Sequence, residues 1–220
     1  MPDRSTTLAA KHCEPYQAGI VVTKKASATP ATADRRPGRL RIIGGRLKGS
    51  RLAVPLWPGL RPTPDRLRET LFNWLQPDVV GARCLDLFAG SGALGLEAES
   101  RGAASVVLVE REPALAASLR ANGVRLQATA EVVCAEAGAW LRTTPRPFDL
   151  VFLDPPFADQ LWQSISLQLE QGGWLADPAW VYVETPDQQD FDPPSGWQLQ
   201  RATRVGAVQG RLYRRSVPVQ

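Results

Sequence analysis

The chain has 220 residues, 44% of them apolar and 22% charged, with a formal net charge of +4. That length suits one α/β domain with a small appendage, and no apolar run approaches the ~18 residues needed to span a bilayer. A lone histidine, His12, and three scattered cysteines, Cys13, Cys84 and Cys134, argue against histidine-base chemistry, disulfides and structural zinc, so no metal is expected.

The charge is unevenly spread. Residues 1–68 carry a net +10, residues 69–200 a net −11 and residues 201–220 a net +5. Two basic ends around an acidic middle imply an anionic partner held at the ends, for which nucleic acid is the first candidate. The N-terminus has no apolar secretory stretch, so a cytoplasmic location is expected.

Residues 1–38 mix Ala, Thr, Ser, Pro and basic residues without a sustained period, which predicts a disordered basic extension. Residues 39–75 are predicted to form a β-hairpin and a helix. Arg39 to Ile43 alternate basic and apolar, Gly44-Gly45 turn the chain, and Leu47 to Val54 return. Thr63 is expected to cap the helix, with Pro64 at its first position. Leu67, Leu71, Phe72, Trp74 and Leu75 form its apolar face, leaving Arg66, Arg68, Glu69 and Asn73 off that face.

From Arg83 apolar strands alternate with helices. Strands are predicted at 83–88, 105–110, 130–134, 148–153 and 179–184, and helices near 92–101, 112–122, 136–142 and 159–171. This alternation predicts a mostly parallel sheet covered on both faces. Residues 196–203 and 206–215 are expected to close it as an antiparallel pair.

The first strand of this sheet runs into Ala89-Gly90-Ser91-Gly92-Ala93-Leu94-Gly95, a glycine turn opening a helix. Gly90-x-Gly92-x-x-Gly95 fits the dinucleotide fingerprint. Glu110, ending the second strand, suits ribose hydroxyls. Asp86, just before the turn, separates two ligands. A carboxylate there would repel a pyrophosphate, whereas the sulfonium and ammonium of S-adenosylmethionine would be attracted. Asp86 also suits a structural cap on the loop. Glu136, after the third strand, is placed either for an adenine amine or as an acid favoured at a helix N-terminus.

Phe148 to Leu153 form a buried strand that ends in Asp154-Pro155-Pro156-Phe157. An aryl amine is a poor nucleophile because its lone pair is delocalised. Two acceptors on its two N–H groups favour pyramidalisation and aim the lone pair. Asp154 offers a side-chain acceptor, and the carbonyl of Pro155 a second one, held rigid by consecutive prolines. Phe157 offers a face on which an extruded base can stack. Asp154, Pro155, Pro156 and Phe157 are therefore the catalytic candidates.

The Asp154-Pro155-Pro156-Phe157 run resembles the [Asn/Asp/Ser]-Pro-Pro-[aromatic] motif of amino-methyltransferases. Arg41 to Gly45, Leu60 to Leu75 and Asp86 to Gly95 closely resemble the bacterial RsmD family, and the resemblance runs from about Arg39 to Arg214. It implies a Rossmann-like seven-stranded class I methyltransferase sheet, mostly parallel with an antiparallel last strand, behind an N-terminal β-hairpin. Residues 39–75 would then cover the RNA and cofactor, and residues 76–220 form the methyltransferase domain. The implied activity is methylation of guanine N2 in 16S rRNA of the small ribosomal subunit, using S-adenosylmethionine; a monomer is the default expectation for the chain. The cofactor candidates are Asp86, Phe88, Ala89, Gly90, Ser91 and Gly92 around the turn and Glu110 and Arg111 after the second strand. Glu136 and Ala137 follow the third strand, and Arg61 and Thr63 come from the preceding loop. Arg66 and Arg68 are placed beside the cofactor carboxylate or RNA phosphates. Arg39, Arg41, Arg46, Lys48 and Arg51 are the expected RNA platform.

Four other readings share parts of this pattern. DNA adenine-N6 and protein glutamine-N5 methyltransferases use the same Pro-Pro motif, but the match at residues 60–75 speaks against them. A nicotinamide-dependent oxidoreductase is opposed by Asp86 and Asp154. A non-catalytic RNA-binding scaffold is opposed by the intact acids Asp86, Glu110 and Asp154.

Overall fold

The computed structural model describes residues 39–58, 60 and 63–216. The predicted extension, with His12 and Cys13, and the candidate Arg61 lie outside the described residues. Two short strands, β1 (Arg39–Arg41) and β2 (Arg51–Ala53), pair antiparallel with Arg41 opposite Arg51 and Leu40 opposite Leu52. Alternation buries Leu40 and Leu52 and leaves Arg41 and Arg51 exposed. Helix α1 (Asp65–Trp74) follows.

The remaining chain builds one sheet. Its strands are β3 (Arg83–Asp86), β4 (Ser105–Glu110), β5 (Glu131–Cys134), β6 (Phe148–Leu153), β7 (Leu175–Pro186), β8 (Trp197–Val205) and β9 (Val208–Arg215). Helices α2 (Gly95–Ser100), α3 (Pro113–Leu126), α4 (Ala137–Trp140) and α5 (Trp162–Gln171) connect the parallel part. The spatial order is β5-β4-β3-β6-β7-β9-β8, with β9 antiparallel to both neighbours. This is the seven-stranded sheet with an antiparallel last strand that the sequence implied. Alternate strand residues feed two cores. Cys84, Leu108, Leu150, Phe152 and Tyr182 pack with α1, α2 and the hairpin. Leu85, Val107, Val151, Val181 and Val183 pack with Trp162, Ile165 and Leu169 of α5.

Several local readings need correction. Strand β3 stops at Asp86, because the chain turns there into the glycine loop. Helix α2 begins at Gly95 rather than near 92, since Gly92 holds φ +79°, outside the helical region. Strand β7 starts earlier than expected, at Leu175, with a register shift where Pro178 offers no N–H to the ladder. The N-cap of α1 is Pro64, without a side-chain cap bond, so Thr63 does not cap it. Arg68 was assigned to the open face of α1 but is fully buried. Its Nη2 donates to the Arg41 carbonyl at 3.0 Å and to Asp65 Oδ1 at 2.6 Å.

Arg68 is drawn inward by one acid of α2, Glu97. Glu97, also fully buried, accepts from Ile43 N at 2.7 Å, Gly44 N at 2.8 Å and Arg101 Nε at 2.7 Å. Its Oε2 lies 3.8 Å from Arg68 Nη1. Ser100 adds a bond to the Gly44 carbonyl and one from Leu47 N. These bonds dock the hairpin on the sheet domain, and the described residues form one compact unit. Neither Cys84 nor Cys134 forms a disulfide. No helix among the described residues is long and apolar enough to cross a membrane.

Removing one partner of a buried ion pair leaves the other charge uncompensated. Glu97→Ala is therefore expected to lower stability by about 3–5 kcal/mol in denaturant unfolding. A loss under ~1 kcal/mol, the range of surface pairs, would refute this anchoring role.

Candidate active site

Register brings four acids together. Asp86 pairs with Leu108 of β4 and Phe152 of β6, and Phe152 pairs with Tyr182 of β7. Glu110, Asp154 and Glu184 each lie two residues beyond these partners. Side chains alternate along a strand, so these three emerge on the same face as Asp86. One acid thus stands at the C-terminal end of each of four adjacent strands, β4-β3-β6-β7. They line a cleft of about 920 Å³ at the edge where open α/β sheets hold their ligands.

Each acid is held by donors. Asp86 Oδ2 accepts from Gly95 N at 3.0 Å. Burial pushes its carboxyl up to about 7; the N–H groups of Gly95 and Phe88 oppose this rise, and Glu110 adds to it. Asp86 is therefore both a cap on the loop and part of the cleft floor. Glu110 accepts from Gly90 N at 2.8 Å and Glu112 N at 2.8 Å, which ties the glycine turn to β4. Asp154 is raised well above the usual carboxylate range by burial first, then by Glu184 and Asp86, against a bond from Thr63. Glu184 is pushed up to about 7, again mainly by burial, while bonds from Thr63 and Tyr182 pull it down.

The candidate residues take distinct places. Phe88, Ala89 and Ser91 line the cleft beside Gly90. Gly90 holds φ +50°, and a Cβ there would sit 2.9 Å from Leu60 Cδ1, so the turn admits no larger residue without displacing the wall. Gly92 is not part of the lining; it shapes the turn. Glu136 caps α4, accepting from Gly138 N at 2.9 Å and Ala139 N at 2.6 Å, while it and Ala137 form part of the wall. Arg111 is at the rim, where Nη1 meets Asp159 Oδ2 at 2.7 Å.

Pro155 is buried, Pro156 is exposed, and Phe157 opens a 3-10 turn with 38% of its surface exposed. Thr63, 5% exposed, lies against Asp154 and Glu184 instead of capping α1. Arg68 is not beside a bound ligand or solvent phosphates, because it is enclosed behind Glu97. Arg66 is exposed.

Sequence reading missed Glu184. Its signal was present, since Val181-Tyr182-Val183-Glu184 closes an apolar run with an acid just as Leu108-Val109-Glu110 does. Only the pairing of β7 beside β6 gives that acid a meaning.

A ligand matched to this floor carries positive charge and no phosphate. S-adenosylmethionine meets both requirements, and the glycine turn, Asp86 and Glu110 are the groups that would hold it. A nicotinamide dinucleotide would set its pyrophosphate against buried acids. No cluster of three or more His, Cys, Asp or Glu residues placed for a metal exists among the described residues.

Sheet order, antiparallel last strand and acid-ended strands together define a class I methyltransferase fold. The family model described as Conserved hypothetical protein 95 matches residues 40–214, and the chain belongs to that family. It is 49% identical over 180 residues to Ribosomal RNA small subunit methyltransferase D of Escherichia coli (strain K12), spanning 81% of this chain and 91% of that protein. The protein of the same name from Haemophilus influenzae is 41% identical, over 80% of this chain and 94% of that protein. The solved structure of yhhF from Escherichia coli superposes with a TM-score of 0.76 at 46% identity, covering 82% of this chain and 99% of that one. An RNA methyltransferase from Salinibacter ruber, solved with S-adenosyl-L-homocysteine, shares the fold at 18% identity, with a TM-score of 0.58 over 73% of this chain and 97% of that one.

The raised Asp86 carboxyl has a measurable consequence. In the ligand-free protein its ionised form is disfavoured, so stability is lost as pH rises through about 7. A cationic ligand favours that ionised form. Affinity for S-adenosylmethionine is therefore expected to rise by up to about tenfold per pH unit below 7, with proton release, and to level off above it. Calorimetry in buffers of different ionisation enthalpy reads this directly. The slope is expected to flatten in Asp86→Asn, and an unchanged slope would remove Asp86 from the linkage.

Proposed function

We propose that this protein is an S-adenosylmethionine-dependent methyltransferase that forms N2-methylguanine in 16S rRNA of the small ribosomal subunit. The observation that carries this reading is Asp154-Pro155-Pro156-Phe157 at the end of β6, opening into a cleft floored by acids. The names of the curated relatives support rRNA as the substrate. Nothing found here favours DNA adenine, protein glutamine or hydride chemistry.

When bound, S-adenosylmethionine would supply a methyl already activated on sulfonium, with S-adenosylhomocysteine as the leaving group. The protein's task is then to position and desolvate the amine. Asp154 accepts one amine N–H and the carbonyl of Pro155 accepts the other, which directs the lone pair into the cleft. As the nitrogen becomes cationic, one of its protons passes to Asp154. Burial and neighbouring acids raise the proton affinity of that carboxylate, which suits a base in this step. Phe157, exposed at the rim and 5.9 Å from the Trp162 ring, supplies a stacking face for the extruded base.

The hairpin is the RNA platform in this reading. Arg41 and Arg51 stand directly opposite each other on one exposed face. Like charges opposite each other repel, and a phosphate between them relieves that repulsion. Lys48 is exposed nearby, while Arg46 also pairs with Glu99 at 3.2 Å. The cytoplasm is the expected place of action, and a monomer the expected form.

The test uses purified protein, methyl-labelled S-adenosylmethionine and small subunits from cells lacking the enzyme, followed by nucleoside mass spectrometry. N2-methylguanosine at one site is expected. Label in DNA or protein instead would overturn the substrate. Asp154→Ala is expected to cut kcat by about 10²-fold or more while changing cofactor affinity far less. Equal losses in both would argue against its hold on the amine.

A further inference from the structure

One carboxyl on the cleft floor has no part in holding the amine. Glu184, near the C-terminal end of β7, stands beside Asp154, the residue after β6, and is only 2% exposed, yet it lines the cleft. Its Oε1 accepts from the Tyr182 hydroxyl at 3.1 Å. The Thr63 hydroxyl lies between Glu184 and Asp154 and favours both carboxylates, its single hydrogen serving one of them at a time. Tyr182 is itself fixed from behind, since a Cβ at Gly210 would lie 2.5 Å from its hydroxyl. Glu184 is thus clamped from two sides. A carboxylate has about four lone-pair sites, and two donors leave acceptor capacity for the cleft.

The chemistry of base edges gives that acceptor a use. On guanine the N2 amine lies next to N1–H, so two donors stand side by side. On adenine and cytosine the exocyclic amine lies next to an unprotonated ring nitrogen, which is an acceptor. Neighbouring strands put Asp154 and Glu184 about 4.8 Å apart at the backbone, close enough for their side chains to converge on one base edge. Two carboxyls there suit guanine and oppose the other two bases, because an acceptor facing an acceptor leaves both buried and unpaired.

We propose that Glu184 is the residue that selects guanine, by accepting the N1–H of the base whose N2 amine Asp154 holds. This rests on the guanine-N2 reading. Burial that raises the Glu184 carboxyl to about 7 is consistent with the proposal, since a hydrogen bond from N1–H offsets the cost of the buried charge.

The test replaces the target guanosine, once mapped, with 2-aminopurine riboside in reconstituted small subunits. This analogue keeps the C2 amine but presents N1 as an acceptor. Wild-type protein is expected to favour guanosine in kcat/KM by on the order of 10²-fold. Glu184→Gln can turn its amide N–H toward N1, so the preference is expected to narrow or invert, with S-adenosylmethionine affinity kept. A variant that binds cofactor normally but keeps the wild-type preference would overturn the proposal. So would a wild-type protein that methylates both bases equally. Glu184→Asp retains the carboxylate one methylene shorter, and is expected to slow guanosine methylation while keeping the preference. It decides the matter if the glutamine variant does not fold: a lost preference in Glu184→Asp would count against the proposal. Methyl found on an adenine or cytosine amine would defeat the guanine reading itself, a different result from an unshifted preference on guanine.

Discussion

Everything around the cleft answers one constraint, four carboxyls crowded at the ends of four adjacent strands. Burial makes the charges of Asp86, Asp154 and Glu184 costly, and proximity makes them costlier. The fold supplies donors instead of cations. Backbone N–H groups of Gly90, Gly95 and Glu112 meet two of the acids, and the hydroxyls of Thr63 and Tyr182 meet the others. Among the described residues no Lys or Arg side chain forms an ion pair with these four acids; Arg111 stays at the rim with Asp159, and Arg68 acts on Glu184 only at a distance. The floor therefore keeps a deficit of positive charge, which a sulfonium and an ammonium would fill. Preference for a cationic cofactor follows from the same feature that excludes a pyrophosphate.

A second buried acid system holds the hairpin. Glu97 and Glu99 belong to α2, whose first residue, Gly95, bonds Asp86. Glu97 receives two hairpin N–H groups, and Glu99 receives Thr129 N and Ala130 N at the entrance to β5. One short helix is thus fixed to Asp86, the hairpin and the sheet edge at once. An α2 of six residues has little intrinsic helical stability and depends on these tertiary bonds.

The parallel core was legible because apolar strands separated by helical periods leave few arrangements. The acids Asp86, Glu110 and Asp154 were legible because each adjoins a local punctuation mark, a glycine turn, a strand end or a proline pair. Three residues were not. Glu184 has no neighbouring motif, so only the β6–β7 pairing reveals it. Arg68 was placed outward because periodicity assumes that charge seeks water, and a buried acid on another element overrode that rule. Thr63 sat where a cap was expected, but its hydroxyl had better use between two carboxyls than on a helix that begins after Pro64.

Arg68 joins the two acid systems. Its Nη2 holds the Arg41 carbonyl of β1, its Nη1 lies 3.8 Å from Glu97, and its charge lowers the proton affinity of Glu184. Its Nε and Nη1 have no hydrogen-bond partner although they are buried. An arginine left partly unsatisfied in this position is sensitive to small shifts of either neighbour, because donors in a low-dielectric interior gain strongly from a closer acceptor. The face that carries Arg41 and Arg51 and the carboxyl beside Asp154 are therefore linked through one side chain. Displacement of β1 would change the hold on Arg68, and with it the electrostatic support of Glu184. In this arrangement the basic face of the hairpin and the acidic floor of the cleft are coupled electrostatically through the charge of Arg68.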